Sequence, residues 1–262
     1  MLEVIDKGQS TPAHPVPIVF VHGAFHGAWC WDEHFLDFFA AEGYRAVAFS
    51  LRGHGRSTTP TSLKRCSIAD YVDDLDEVVT GLPTPPILVG HSMGGFIIQK
   101  YLETRSVPAA VLAASTPPVG QHAALVKLSL RQPWRALRAT LTGRPSVLFD
   151  TVPLARKNLF SSDTAEDVVM RTHLQLREES PRALLADMSL LDLVQTSEID
   201  TPMLVIGGGQ DALYSRDVVR STARAYGTTE VMIPDVAHDM MLDTHWAGVA
   251  RTIARWLGER NL

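Results

Sequence analysis

Cysteine is almost absent. Cys30 and Cys66 are the only two in 262 residues, too few for a disulfide framework and in keeping with a reducing compartment. No apolar run approaches the roughly 20 residues of a membrane-spanning helix. No block of basic residues occurs, and the net charge of −5 argues against a nucleic-acid partner. The opening stretch MLEVIDKGQS has no basic segment leading into an apolar one. These absences predict a cytoplasmic protein without membrane or nucleic-acid partners; a homo-oligomer stays open. Internal repeats and low-complexity segments are also missing. What is present, 45% hydrophobic and 20% charged residues, suits a soluble globular chain. The length suffices for one large domain with an inserted subdomain.

Short apolar runs alternate with helical patterns. Ile18–Val21, Ala46–Phe49, Ile87–Val89, Val107–Ala114, Met203–Ile206 and Glu230–Ile233 read as strands. Helices are expected over 31–42, 67–79, 215–226 and 244–257, with Ser67 as N-cap and Asp70 at the third helical position. Such alternation predicts an α/β fold: a mostly parallel, doubly wound sheet with helices on both faces. From 119 to 197 strand character fades and helical patterns dominate, punctuated by Pro133, Pro145, Pro153 and Pro181. This block is expected to form a helical cap over the carboxyl ends of the strands, where open α/β sheets bind ligands. The core then comprises 1–118 and 198–262.

The segment PILVGHSMGGFIIQK (86–100) places Ser92 between a buried strand and a helix, within Gly90-His-Ser-Met-Gly94. A G-x-S-x-G turn between strand and helix is sharp and strained. Its glycines remove Cβ atoms that would clash, and the serine Oγ stands exposed beside the amides that open the helix. That is how a fold presents a nucleophile. An incidental serine in a glycine-rich turn is the weaker reading.

A serine hydroxyl needs a base. Of ten histidines, His238 follows the last strand and so shares the carboxyl end of the sheet with Ser92. The base needs an orienting carboxylate. Asp211, beyond Met203–Ile206 and Gly207-Gly-Gly209, lies at the same end. Asp200 lies at the wrong end, Asp192 falls in the helical block, and Asp235 and Asp239 are too close in sequence to face the ring of His238. The three glycines are expected to make a tight turn; they lack the lysine and spacing of a phosphate loop.

Val21-His-Gly-Ala24, Arg52-Gly-His-Gly-Arg-Ser57, Gly90-His-Ser-Met-Gly-Gly95, Gly208-Gly-Gln-Asp211 and Ala237-His238, in that order, resemble the α/β-hydrolase superfamily over nearly the whole chain. The resemblance implies Ser92 as nucleophile, Asp211 as acid and His238 as base. It also implies an oxyanion hole made by the backbone amides of Ala24 and Met93. The stretch VHGAFHGAWCW (21–31) is similar to the plant methylesterase and hydroxynitrile lyase group, but bacterial esterases share it. Ser50 stands where many relatives carry an aspartate that supports the following loop, so that loop is expected to be less rigid. The family's leading β-hairpin is expected to be abridged.

Among the remaining residues, His22 is expected to brace the oxyanion loop, His91 to pack within the elbow and His54 to be structural. Trp29 and Trp31 read as core. Phe25, next to the oxyanion position, is expected to touch substrate, and Trp134, Phe149, Phe160 and Met188 are the pocket candidates in the helical block. No histidine pair has metal-ligand spacing, so neither metal nor cofactor is expected. The implied reaction is hydrolysis of a carboxylic ester, or a related acyl bond, of a small to medium apolar substrate. Alternatives keep the triad for C–C hydrolysis, hydroxynitrile cleavage or perhydrolysis, or make the pocket a small-molecule sensor. Haloalkane and epoxide cleavage are disfavoured, because those relatives use an aspartate nucleophile.

Overall fold

The computed structural model describes residues 1–262. Its sheet has seven strands: β1 (Glu3–Lys7), β2 (Ile18–Val21), β3 (Ala46–Ser50), β4 (Ile87–His91), β5 (Ala110–Ala113), β6 (Met203–Gly208) and β7 (Glu230–Ile233). Their spatial order is β1-β3-β2-β4-β5-β6-β7. Only β1 runs antiparallel, at the edge beside β3. It is a single strand.

Period-two alternation splits each central strand between two cores. Ile18, Phe20, Ile87, Val89 and Val111 face one cluster, and Val19, Val21, Leu88, Ala110 and Leu112 the other. Helices α1 (Trp29–Asp32), α2 (Phe35–Ala41) and α10 (Trp246–Gly258) cover the first face. Helices α3 (Ile68–Thr80), α4 (Met93–Leu102) and α9 (Arg216–Ala225) cover the second. Helix α3 starts with the capping box read from Ser67 and Asp70.

Chain order reverses around β2, with β3 on one side and β4 on the other. At such a switch point the loops after the two strands part and leave a crevice. Here those loops carry Ala24 and Ser92. Between β5 and β6 run α5 (His122–Arg131), α6 (Pro133–Thr142), α7 (Val152–Leu159), α8 (Glu166–Gln175) and a π-helical segment, Arg182–Leu191, with no strand among them.

Three expectations need correcting. The helix expected over 31–42 is two helices, because His34 leaves helical geometry at φ −146°, ψ −47°. The strand expected at Val107–Ala114 covers only Ala110–Ala113: Pro108 has no N–H for the ladder, and Ala114 turns to φ 43°. The glycines after Ile206 are a turn only in part, beginning at Gly209. Gly207 and Gly208 extend β6, and none of the three has a positive φ. A Cβ on Gly209 would lie 2.8 Å from Pro234 Cα, and one on Gly208 would collide with the carbonyl of Val236. Their role is close approach to the loop that carries His238.

Candidate active site

Ser92 joins β4 to α4 at φ 51°, ψ −117°, a conformation costing an L-residue on the order of 1–3 kcal/mol. Its neighbours show why the surroundings must be glycine. A Cβ on Gly90 would lie 2.6 Å from Gly94 O and from Ile98 Cδ1; one on Gly94 would run into the carbonyls of Val21 and His22. The elbow is tied to the end of β5: Ser92 N–H donates to Ala113 O at 3.1 Å, and Thr116 N–H to Ser92 O at 3.1 Å.

His238 Nε2 stands 3.1 Å from Ser92 Oγ, and its Nδ1 stands 2.9 Å from Asp211 Oδ2. Asp211 is held in turn by Leu213 N–H at 2.7 Å and Tyr214 N–H at 3.0 Å, both on Oδ1. An acid locked by two amides fixes the Nδ1–H tautomer and leaves Nε2 free to accept the serine proton. Burial pushes the imidazole pKa of His238 down. The Asp211 charge and hydrogen bond, with the Asp239 charge, outweigh burial and hold it above the ordinary value. The residues read from the sequence as nucleophile, base and acid thus form one hydrogen-bonded chain.

Met93 N–H opens α4, where no carbonyl lies four residues back within the helix. Ala24 N–H makes no hydrogen bond to protein. Both amides flank the elbow and are free to bind an oxyanion.

The other histidines brace this centre. His22 Nε2 accepts from Leu51 N–H at 3.0 Å while its Nδ1–H donates to Gly23 O at 2.7 Å. Burial holds its pKa well below the ordinary value, so it stays neutral. His91 Nε2–H donates to the carbonyl of His238 at 2.9 Å. Burial, then the charge of His238, pushes its pKa down to about 3. Ser50 Oγ accepts from Ala28 N–H and donates to Glu3 Oε2, each within 2.9 Å, and Glu3 also accepts from Arg56 N–H at 2.9 Å. Hence the carboxylate missing at position 50 is supplied across the sheet by β1, and the loop is held after all.

Two pairings escaped sequence reading. His26 Nε2 lies 3.0 Å from Asp239 Oδ2, while its Nδ1–H donates to Ala24 O at 2.8 Å. Asp239 makes no hydrogen bond to the ring of His238 but is not idle. The signal was the second histidine of VHGAFHGAWCW, which was absorbed into a family motif. His54 and Glu179, both fully buried, approach to 2.9 Å as an ion pair poorly aligned for a hydrogen bond. Tyr71 O–H donates to the other Glu179 oxygen at 2.6 Å.

An apolar cavity of about 140 Å³ opens above Ser92 and His238. Ala24, Phe25, Leu125, Leu128, Leu148 and Phe149 are among its walls. Phe25 sits at φ 70° with its ring 5.2 Å from that of Phe149. Three pocket candidates lie elsewhere. Trp134 is 82% exposed, because α6 turns its small residues Ala136, Ala139 and Thr140 toward the cavity and its large ones outward. Phe160 is buried in the core beside the cavity, where Leu159 takes the wall. Met188 packs into the opposite core, and Leu184 and Leu185 line the space instead.

His91, His238 and Asp239 bring ligand-type atoms within 4.8 Å of one another. Each residue is already engaged through at least one atom: His238 with Ser92 and Asp211, His91 Nε2 with the His238 carbonyl, Asp239 Oδ2 with His26; His91 Nδ1 and Asp239 Oδ1 have no hydrogen-bond partner. A cation bound there would pull the base from the serine.

Residues 18–252 match the model of the alpha/beta hydrolase family, and the chain belongs to that family. It is 36% identical over 112 residues to a non-heme chloroperoxidase of Streptomyces lividans, covering 41% of this chain and 40% of that protein. It is 25% identical over 237 residues to methylesterase 3 of Arabidopsis thaliana, covering 84% and 88%. In the first relatives matched, the shared stretch spans about half or less of their length: 40%, 51% and 41%. An esterase from Exiguobacterium antarcticum superposes with a TM-score of 0.77 at 21% identity, over 98% of this chain and 95% of that one. A bromoperoxidase from Bacillus anthracis gives 0.78 at 18%, over 98% and 95%.

Proposed function

We propose that this protein is a serine hydrolase acting on a carboxylic ester, or a related acyl bond, of a small to medium apolar substrate. The observation that carries this reading is the continuous Ser92–His238–Asp211 chain at the floor of an apolar cavity. His238 Nε2 takes the proton of Ser92 as Oγ attacks the substrate carbonyl. Asp211 keeps the proton on Nδ1 in place and stabilises the imidazolium that forms. The Ala24 and Met93 amides hold the oxyanion; such a donor is typically worth about 10²–10³ in rate. His238 then protonates the leaving alcohol, and water activated by the same ring releases the acid from Ser92.

The helical block acts as the cap that sizes the substrate. An apolar cavity of about 150 Å³ is known to hold one benzene ring, so a cavity of about 140 Å³ suits an acyl group of that order. Esters of p-nitrophenol with increasing acyl length, run beside Ser92→Ala, test the proposal. Turnover in the wild type with a short-to-medium optimum, and none in the variant, is the expected result. Folded wild type that is silent on every ester would sink it.

The relatives named chloroperoxidase favour one second reading. Hydrogen peroxide in place of water would attack the acyl-enzyme and leave as a peroxy acid. Adding peroxide to an ester assay and titrating peroxy acid separates the two.

A further inference from the structure

The helical block turns an unusual outer face to solvent. On α5, Val126 and Leu130 point outward; on α6, Trp134, Leu137 and Leu141 do. Spacings of four on α5, and of three and four on α6, put each set on one stripe of its helix. Leu130, Trp134 and Leu141 are 78%, 82% and 77% exposed, more than isolated surface hydrophobics in ordinary packing require. A shallow groove joins the two stripes, lined by Val126, Leu130 and Pro133. Its remaining walls, Leu125, Ser129 and Ala136, also line the cavity over Ser92. The exposed face therefore adjoins the cavity wall.

Charge on this segment is one-sided. Residues 119–149 hold Lys127, Arg131, Arg135, Arg138 and Arg144 and none of the chain's 29 acidic residues. Arg135 and Arg144 pair with Asp150 and Glu178. Lys127, Arg131 and Arg138 have no carboxylate partner; Lys127 and Arg131 donate to the Ala212 carbonyl, which leaves Arg138 as the uncommitted cation of the face. The rest of a chain with net charge −5 is correspondingly acidic.

We propose that the outer face of α5 and α6 docks on an anionic lipid surface. Basic amphipathic helices with tryptophan and leucine on the apolar side lie in the headgroup region, held by apolar burial and by attraction to anionic lipid. The acidic remainder would be repelled by the same surface, which orients the molecule with its cavity wall toward the bilayer. A second copy of this chain fits less well, because facing copies would set one cationic face against another. The absence of a spanning helix bears only on insertion; the proposal departs from the sequence expectation of no membrane partner. The proposal concerns binding and holds whether or not the hydrolase reading does.

The test is flotation of the full chain with vesicles of mixed phosphatidylglycerol and phosphatidylcholine, against pure phosphatidylcholine, at low and high salt. Wild type is expected to float with the anionic vesicles and to be released by salt. Arg138→Glu should lower partitioning roughly tenfold or more. Trp134→Ser and Leu141→Ser should lower it similarly. All three side chains lie outside the cavity wall, so turnover of a soluble short ester should be unchanged. Ser92→Ala should float like the wild type, which separates this proposal from the catalytic one. Three results overturn it: wild type that does not float; flotation equal on both vesicle types and untouched by Arg138→Glu; or a solution dimer that Trp134→Ser dissolves while vesicles bind nothing.

Discussion

His26 and Asp239, 213 positions apart in the chain, meet through Nε2 and Oδ2 at 3.0 Å in a site closed to solvent. The contact fastens the loop after β2, which carries Ala24, to the loop after β7, which carries His238. Ala24, the proposed oxyanion donor, and His238, the proposed base, thus stand on loops joined by one pair. Both nitrogens of His26 face oxygen atoms, Nδ1 the Ala24 carbonyl and Nε2 the Asp239 carboxylate.

Asp239→Asn is expected to act in two ways. Losing the carboxylate that holds His26 Nε2 loosens the Ala24 loop and should lower kcat for ester hydrolysis about 10- to 100-fold, within the loss of one oxyanion donor, with little change in KM. It also removes one of the charges that raise the His238 pKa. The acid limb of the kcat/KM profile should then move to lower pH. A merely unstable variant would lose amplitude without moving that limb, and that result would refute the positioning role.

The wild-type pH profile follows from the same group. His238 must be neutral to take the serine proton, and its pKa lies above the usual 6.5. Activity should therefore fall as pH drops through a value above 6.5. In Asp211→Asn the limb should shift down, and kcat should fall by about 10⁴, the order found when the orienting acid is replaced by its amide. Steady-state rates across pH 4 to 9 check both; an acid limb below pH 6 in the wild type would contradict the assignment.

Substrate size should respond to the walls that the structure identifies. Leu128→Ala enlarges the cavity and is expected to shift the preferred acyl chain toward longer esters. Leu148→Trp should shift it toward shorter ones. Trp134→Ala should leave the chain-length profile alone. A p-nitrophenyl ester series read as kcat/KM decides; a profile that moves with Trp134 but not with Leu128 would place the pocket elsewhere.

How far the sequence could be read follows from what kind of order each part has. Ser92, Asp211 and His238 each lie just past a strand, so strand order and carboxyl-end placement were enough to bring them together. The elbow was legible because glycine at positions 90, 94 and 95 has a local cause. The helical block was legible as helix but not in orientation. Trp134 was expected at the pocket as an apolar residue of the block, yet α6 lines the cavity with Ala136 and Ala139. Nothing along the chain marks which face of a short amphipathic helix meets the core when both faces carry apolar residues. Glu3–Ser50 and His26–Asp239 were hidden for another reason: each couples residues 47 or more positions apart, and only the sheet order sets them side by side.

Glu179 and His54 supply the last prediction, on how the helical block is fixed to the sheet. Glu179 belongs to the block and His54 to the loop after β3. Burial pushes the His54 pKa down, but the Glu179 carboxylate outweighs it and holds it above the ordinary value. Burial pushes the Glu179 pKa up, but the His54 charge and the bonds from Tyr71 and Ser180 outweigh it and hold it below. The histidine's contribution to stability is present below its unfolded pKa and is lost as pH rises through its raised folded value. The glutamate's contribution is present above its unfolded pKa and is lost as pH falls through its lowered folded value. The pair is therefore strongest in the mildly acidic range between those limits. Glu179→Gln leaves a buried imidazole without its countercharge, a change that typically costs about 3–5 kcal/mol. For a chain of this length that is on the order of 10 °C in Tm. Thermal unfolding of wild type and variant from pH 5 to 8 should show the gap narrowing as pH rises and His54 loses its proton. A gap independent of pH would mean that packing around Glu179, rather than the ion pair, holds the block in place.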